Sequence, residues 1–125
     1  MTRRGRTQRR RDAGFMLLEV LIAILILALG VLSVIGLQAA AVRNTAAAKY
    51  RADASFIASQ RVGSMWANPE ALGTFVENDT DLGTALPDGK RTTAVNGTQV
   101  TVTVTWRAPG ATERSNVVVV AYVSV

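Results

Sequence analysis

The sequence predicts an α+β chain: a long N-terminal helix, membrane-spanning in its first half and amphipathic in its second, packed on a small C-terminal antiparallel sheet. Three observations predict it. Residues 20 to 42 carry no charged side chain, and as a helix that run is long enough to cross ~30 Å of hydrocarbon. Residues 43 to 67 then mix charges with apolar side chains spaced mostly by three or four, which is helical periodicity with one apolar stripe. Near the C-terminus, Val100, Val102, Val104 and Trp106 alternate with Thr101, Thr103 and Thr105, the period-2 pattern of a strand with one buried face.

Composition narrows the chemistry. The 125 residues include no Cys and no His, which removes disulfides, the usual zinc and haem ligand sets, cysteine nucleophiles and any triad built on imidazole. The formal charge of +5 is confined to the start of the chain. Arg3, Arg4, Arg6, Arg9, Arg10 and Arg11 face only Asp12 within residues 1 to 14, and the remainder is balanced. An arginine block abutting a long apolar run follows the positive-inside bias of a cytoplasmic flank. No nucleic-acid-binding module follows the block, so nucleic acid is not expected as a direct partner.

The elements follow in order. Residues 1 to 14 form a basic leader and residues 15 to 42 the hydrophobic half of the helix. Gly30 and Gly36 each cost up to ~1 kcal/mol against Ala in water, but small residues let neighbouring helices approach closely in lipid. Residues 43 to 67 form the amphipathic half, with Ala47, Tyr50, Ala54, Ile57, Ala58, Val62, Met65 and Trp66 as the apolar stripe. Asn68-Pro69 supplies the stop, because a residue before proline is pushed out of helical geometry. From residue 15 to 67 such a helix is on the order of 80 Å long at ~1.5 Å per residue.

Residues 68 to 90 read as a polar connector with a Pro-Asp-Gly turn at residues 87 to 89. Residues 91 to 125 read as a three-stranded meander. Asn96-Gly97 marks the first hairpin between residues 91 to 95 and 98 to 106. Pro109-Gly110 marks the second turn, and residues 117 to 125 form the last strand. So small a sheet without disulfides needs the apolar stripe of the helix as cover. The connector carboxylates Glu77, Asp79, Asp81 and Asp88 match no EF-hand spacing and read as a solvated loop. Trp66 and Trp106 read as core or interface anchors. No metal and no cofactor is expected.

Glu19 is the residue that needs explaining. A carboxylate just inside a membrane run is costly, ~2.5 to 3.5 kcal/mol near the centre, unless it reaches the headgroups or meets a buried positive partner. A free α-amino group created by cleavage after Gly14 would be such a partner, one helical turn away or on a neighbouring copy.

The stretch "GFMLLEVLIAILILALG" resembles the type III signal of the type IV pilins and pseudopilins. The resemblance rests on a basic leader, glycine, phenylalanine, a glutamate four residues later and an uncharged span. It implies that a membrane-embedded prepilin peptidase cuts between Gly14 and Phe15 and methylates the new Phe15 terminus. It also implies that Glu19 helps the subunit join a filament, with no catalytic residue in the chain itself. The runs "LLEVLIAILILALGVLSVIGLQ" and "ASFIASQRVGSMWANP" are most similar to minor pilins of the PilV type. The first helix has no proline and the C-terminus no cysteine pair, departures from major pilins that favour a minor subunit. Asp12 and Ala13 stand before the glycine in place of a basic residue.

The partners implied are the peptidase, other major and minor pilins, an inner-membrane assembly platform and lipid. The localisation implied is a single-pass inner-membrane protein with a periplasmic C-terminal domain, later carried into the pilus. A minor pseudopilin of a type II secretion system shares these features. A small secreted β-domain with a cleaved signal peptide is the reading from another class, with Ala39-Ala40-Ala41 as its cleavage site and an apolar core longer than the usual ~7 to 15 residues.

Overall fold

The structure is a computed structural model that describes residues 6–124. Residues 1–5 of the leader, including Arg3 and Arg4, and residue 125 of the last predicted strand lie outside the described residues. The element order is α1 (Arg6–Trp66), a 3₁₀ helix (Pro69–Phe75), and strands β1 (Glu77–Asp81), β2 (Lys90–Asn96), β3 (Gln99–Trp106) and β4 (Ser115–Tyr122). The chain divides into two compact units, Met1–Arg43 and Asn44–Val125.

In the first unit, every residue from 12 to 43 is exposed. Leu and Ala favour the helix and the β-branched Ile and Val are accommodated in it, and none of these side chains is buried among the described residues. The helix is long and apolar enough to cross a membrane, a property that a signal sequence near an N-terminus shares.

The second unit is α+β. Its four strands form one antiparallel sheet in the order β1-β2-β3-β4, a meander in which each strand pairs with its sequence neighbour. The core lies between the sheet and the stretch of α1 in this unit. Ala54 and Ala58 are fully buried against Val102, Val104, Trp106 and Leu86, with Tyr50, Ile57 and Val62 at the margin. Two alanines at the crossing let the helix backbone approach the β3 valines closely. Met65 closes a second cluster with Leu72, Val100 and Val123. Register keeps the faces distinct: Thr93 opposes Val102, and Val102 opposes Val119.

Turn chemistry fixes the connections. The Asn68 side-chain amide donates to the Ser64 carbonyl at 3.1 Å, capping the end of α1, and Pro69 then opens the 3₁₀ helix. Gly89 donates to the Leu86 carbonyl at 3.1 Å, and a Cβ there would stand 2.7 Å from Leu86 Cβ. Ala111 donates to the Ala108 carbonyl across Pro109-Gly110, with Gly110 at φ +79°, the type II pattern.

Three expectations need correction. Residues 68 to 90 hold a 3₁₀ helix and the edge strand β1, so the sheet has four strands rather than three and begins at Glu77. β1 escapes sequence reading because "ENDTD" lacks an apolar alternation; its pairing to β2 supplies the order. The first hairpin turns on Gly97-Thr98, with Asn96 paired to Gln99. Glycine takes the positive φ, +61°, at the first central position of a II′-like turn, so Asn96 stays extended. Finally, Trp66 is 61% exposed and lies off the buried stripe expected to include it; of the two tryptophans expected as core or interface anchors, Trp106 is the one in the core.

Candidate functional site

Gly14, Phe15 and Glu19 all lie within α1. Residues 15 and 19 stand four apart, so their side chains share one helix face about 6 Å apart along the axis at ~1.5 Å per residue. Phe15 is 75% exposed, and Glu19 is exposed as well. A Cβ at Gly14 would meet nothing within 4 Å, so no packing among the described residues demands glycine there. Among the described residues, no ion pair reaches Glu19. Within residues 12 to 42 its only charged companion is Asp12. The site is therefore a linear pattern on an open helix, and no cationic side chain within residues 12 to 42 is available to Glu19.

Further along the same unit, Gly30 opens a shallow apolar groove flanked by Ile26, Leu27, Val34 and Ile35. A missing side chain between large ones is where the ridge of a second helix can seat.

In the second unit the structure shows a surface that the sequence reading missed. The face of α1 turned away from the sheet was expected to be polar. It instead carries Ala52, Phe56, Ser59, Gly63 and Trp66, all exposed, with Phe56 69% exposed. Two large aromatic side chains thus stand among three small residues, at spacings of four, three, four and three, those of a helix-packing seam. The same spacing is legible in the sequence, alongside the stripe of Ala54, Ala58 and Met65 that the sheet buries.

The connector acids also resolve differently from a uniformly solvated loop. Glu77 is part-buried: Arg91 Nε donates to its carboxylate at 2.5 Å, and Thr93 Oγ1 donates to the same oxygen at 2.9 Å. Arg61 Nε lies 3.3 Å from that oxygen but is not aligned for a hydrogen bond, so this contact is coulombic. The Arg61 guanidinium also donates to the Phe75 carbonyl and stacks 4.9 Å above the Phe75 ring. Burial pushes the Glu77 carboxyl up; the hydrogen bonds from Arg91 and Thr93, the Arg91 charge and the Thr80 hydroxyl outweigh it and hold the group below its ordinary range. This cluster ties α1 to β1 and β2. Asp88, by contrast, is an exposed anchor for Arg114.

Among the described residues, no group of His, Cys, Asp or Glu is arranged to hold a metal ion. No family model matches the chain, and no match was found among the curated proteins or the solved structures.

Proposed function

We propose that this chain is a minor type IV pilin: a structural subunit, processed by prepilin peptidase between Gly14 and Phe15, methylated on Phe15 and assembled through its N-terminal helix. The observation that carries the reading is the open apolar helix from residue 15 to 42, marked by a single carboxylate one turn after Phe15. In a lengthwise stack of such helices, the apolar faces bury one another. Glu19 pairs with the α-amino group of a neighbouring subunit, which neutralises the buried charge and sets the axial register. Contacts of this head-to-tail kind do not close, so they propagate as a helix of subunits. The exposed seam at Ala52, Phe56, Ser59, Gly63 and Trp66 supports the same role by offering a further helix-packing face.

In this reading the precursor waits in the inner membrane as a single-pass protein with its sheet domain in the periplasm. It meets the assembly platform and other pilins there and enters or primes the pilus. The test is the intact mass and first residue of the mature chain from membranes and from sheared filaments. The proposal expects a chain beginning at N-methylated Phe15, and expects Glu19→Ala to be processed but lost from filaments. A mature chain beginning at Val42 overturns it in favour of a discarded signal peptide.

A further inference from the structure

Within the second unit an open cavity of about 360 Å³ lies beside Trp106, a size found among small-molecule sites. From the helix it is lined by the small side chains of Ala47 and Ala48 and by Tyr50 and Arg51. From the sheet it is lined by Trp106, itself 3% exposed, and by Ser115, which opposes Trp106 across the β3–β4 pair. Residues more than fifty positions apart in the chain thus meet around one opening.

Its polar groups are of one kind. The Arg51 guanidinium can only donate, and the Tyr50 and Ser115 hydroxyls add two further donors. Among the described residues, no side-chain hydrogen bond or ion pair engages any of the three. No Asp or Glu lines the cavity. Of the acids close by in sequence, Asp53 faces Lys49 at 4.0 Å, and Glu113 stays outside the lining. Apolar walls, a guanidinium fork and two hydroxyls without a competing carboxylate suit an anion carried on an apolar body, and the planar fork suits phosphate in particular.

Connectivity points to the source of the phosphate. Ala47 follows Val42, the last residue of the uncharged run, by five residues and Arg51 follows it by nine, at most ~18 and ~32 Å even fully extended at ~3.6 Å per residue. Between Val42 and Asp53 the charges are Arg43, Lys49 and Arg51, three cations before the first acid, a pattern that draws anionic headgroups to the end of a span. Tyrosine and tryptophan are the aromatic residues enriched at that depth. We propose that the cavity binds the phosphate of an anionic phospholipid. Arg51 forks two of its oxygens, Tyr50 and Ser115 donate to it, and the glycerol end of the lipid lies against Ala47, Ala48 and Trp106. This rests on the membrane-spanning part of the pilin reading and not on filament assembly.

The test uses the full chain in a neutral detergent, titrated separately with dihexanoyl-phosphatidylglycerol, dihexanoyl-phosphatidylcholine and inorganic phosphate. The readouts are the indole resonance of Trp106 and the amide resonance of Ser115. Phosphatidylglycerol is expected to shift both saturably. Phosphatidylcholine, whose ammonium meets Arg51 and Lys49, is expected to bind about tenfold or more weakly. Arg51→Gln is expected to weaken phosphatidylglycerol binding by about tenfold or more, and Ser115→Ala by about threefold. Lys90→Gln removes the same charge at a residue outside the lining and is expected to stay within about twofold. Arg51 is exposed, so the thermal unfolding of Arg51→Gln is expected to match wild type.

Equal shifts with inorganic phosphate overturn the proposal in favour of a free-anion site. Equal affinity for the two lipids, or an equal loss in Arg51→Gln and Lys90→Gln, overturns it in favour of unspecific attraction to a charged micelle. Unmoved Trp106 and Ser115 resonances overturn it outright. The first residue of the mature chain separates its failure from that of the pilin reading. A chain beginning at Phe15 with no lipid effect sinks the site alone, whereas a chain beginning at Val42 has lost its span and sinks both.

Discussion

Glu77→Ala removes the one acceptor that Arg91, Thr93 and Arg61 share. The Glu77 side chain is only 14% exposed and the two arginines 20% each, so neither guanidinium recovers full hydration. A net ~1.5 to 3 kcal/mol for a hydrogen bond to a charged group, discounted for partial solvation and for the misaligned Arg61 contact, gives a loss of about 3 kcal/mol. For a domain of this size that corresponds to a fall of roughly 12 to 24 °C in Tm, at ~4 to 8 °C per kcal/mol. Glu77→Gln keeps an acceptor and loses only the charge, so its cost is about half, ~1.5 kcal/mol.

The pH dependence separates charge from packing. Because the folded carboxyl titrates below its ordinary value near 4.5, the unfolded chain binds the proton first as pH falls. The stabilisation is complete above about pH 4.5 and is lost as pH drops through the folded value. The gap between wild type and Glu77→Gln should therefore narrow below that pH. Unfolding of the full chain in detergent, followed by Trp106 fluorescence in a Trp66→Phe background, measures it. A gap unchanged between pH 7 and pH 3, or a Glu77/Arg91 double-mutant coupling under ~0.3 kcal/mol, refutes the argument.

Other outcomes are expected from the same packing. Val102→Ala, at a fully buried β3 position, should cost about 2 to 3 kcal/mol in the same unfolding assay. Gly89→Ala should cost about 1 to 3 kcal/mol, since the new Cβ meets Leu86 at 2.7 Å. Trp66→Ala and Phe56→Ala should each change stability by less than ~0.5 kcal/mol, because both side chains are largely exposed. If they serve as packing knobs, co-purification with other filament subunits should fall while thermal unfolding stays put.

The sequence by itself determined most of the local structure. The uncharged run at residues 20 to 42, the apolar spacing of Ala54, Ala58 and Met65, and the Val/Thr alternation of residues 100 to 106 each specify geometry through a period that side-chain burial enforces. Proline and glycine at 109 and 110 impose their turn by their own backbone preferences. The candidate site at Gly14, Phe15 and Glu19 is likewise a linear pattern on one helix, and folding adds only that it stands open.

Tertiary structure decided what depends on residues far apart in the chain. β1 has no pattern of its own and exists because β2 offers it a backbone ladder and because Arg61 and Arg91 converge on Glu77. The II′-like turn at Gly97 is selected by the full β2–β3 register. The stripe of Ala54, Ala58 and Met65 is the one the sheet covers, and it is the tertiary packing that leaves Phe56 and Trp66 on the opposite face exposed. The free β4 edge likewise emerges only once the strand order is known, because an edge is a property of position in a sheet and not of any residue in it.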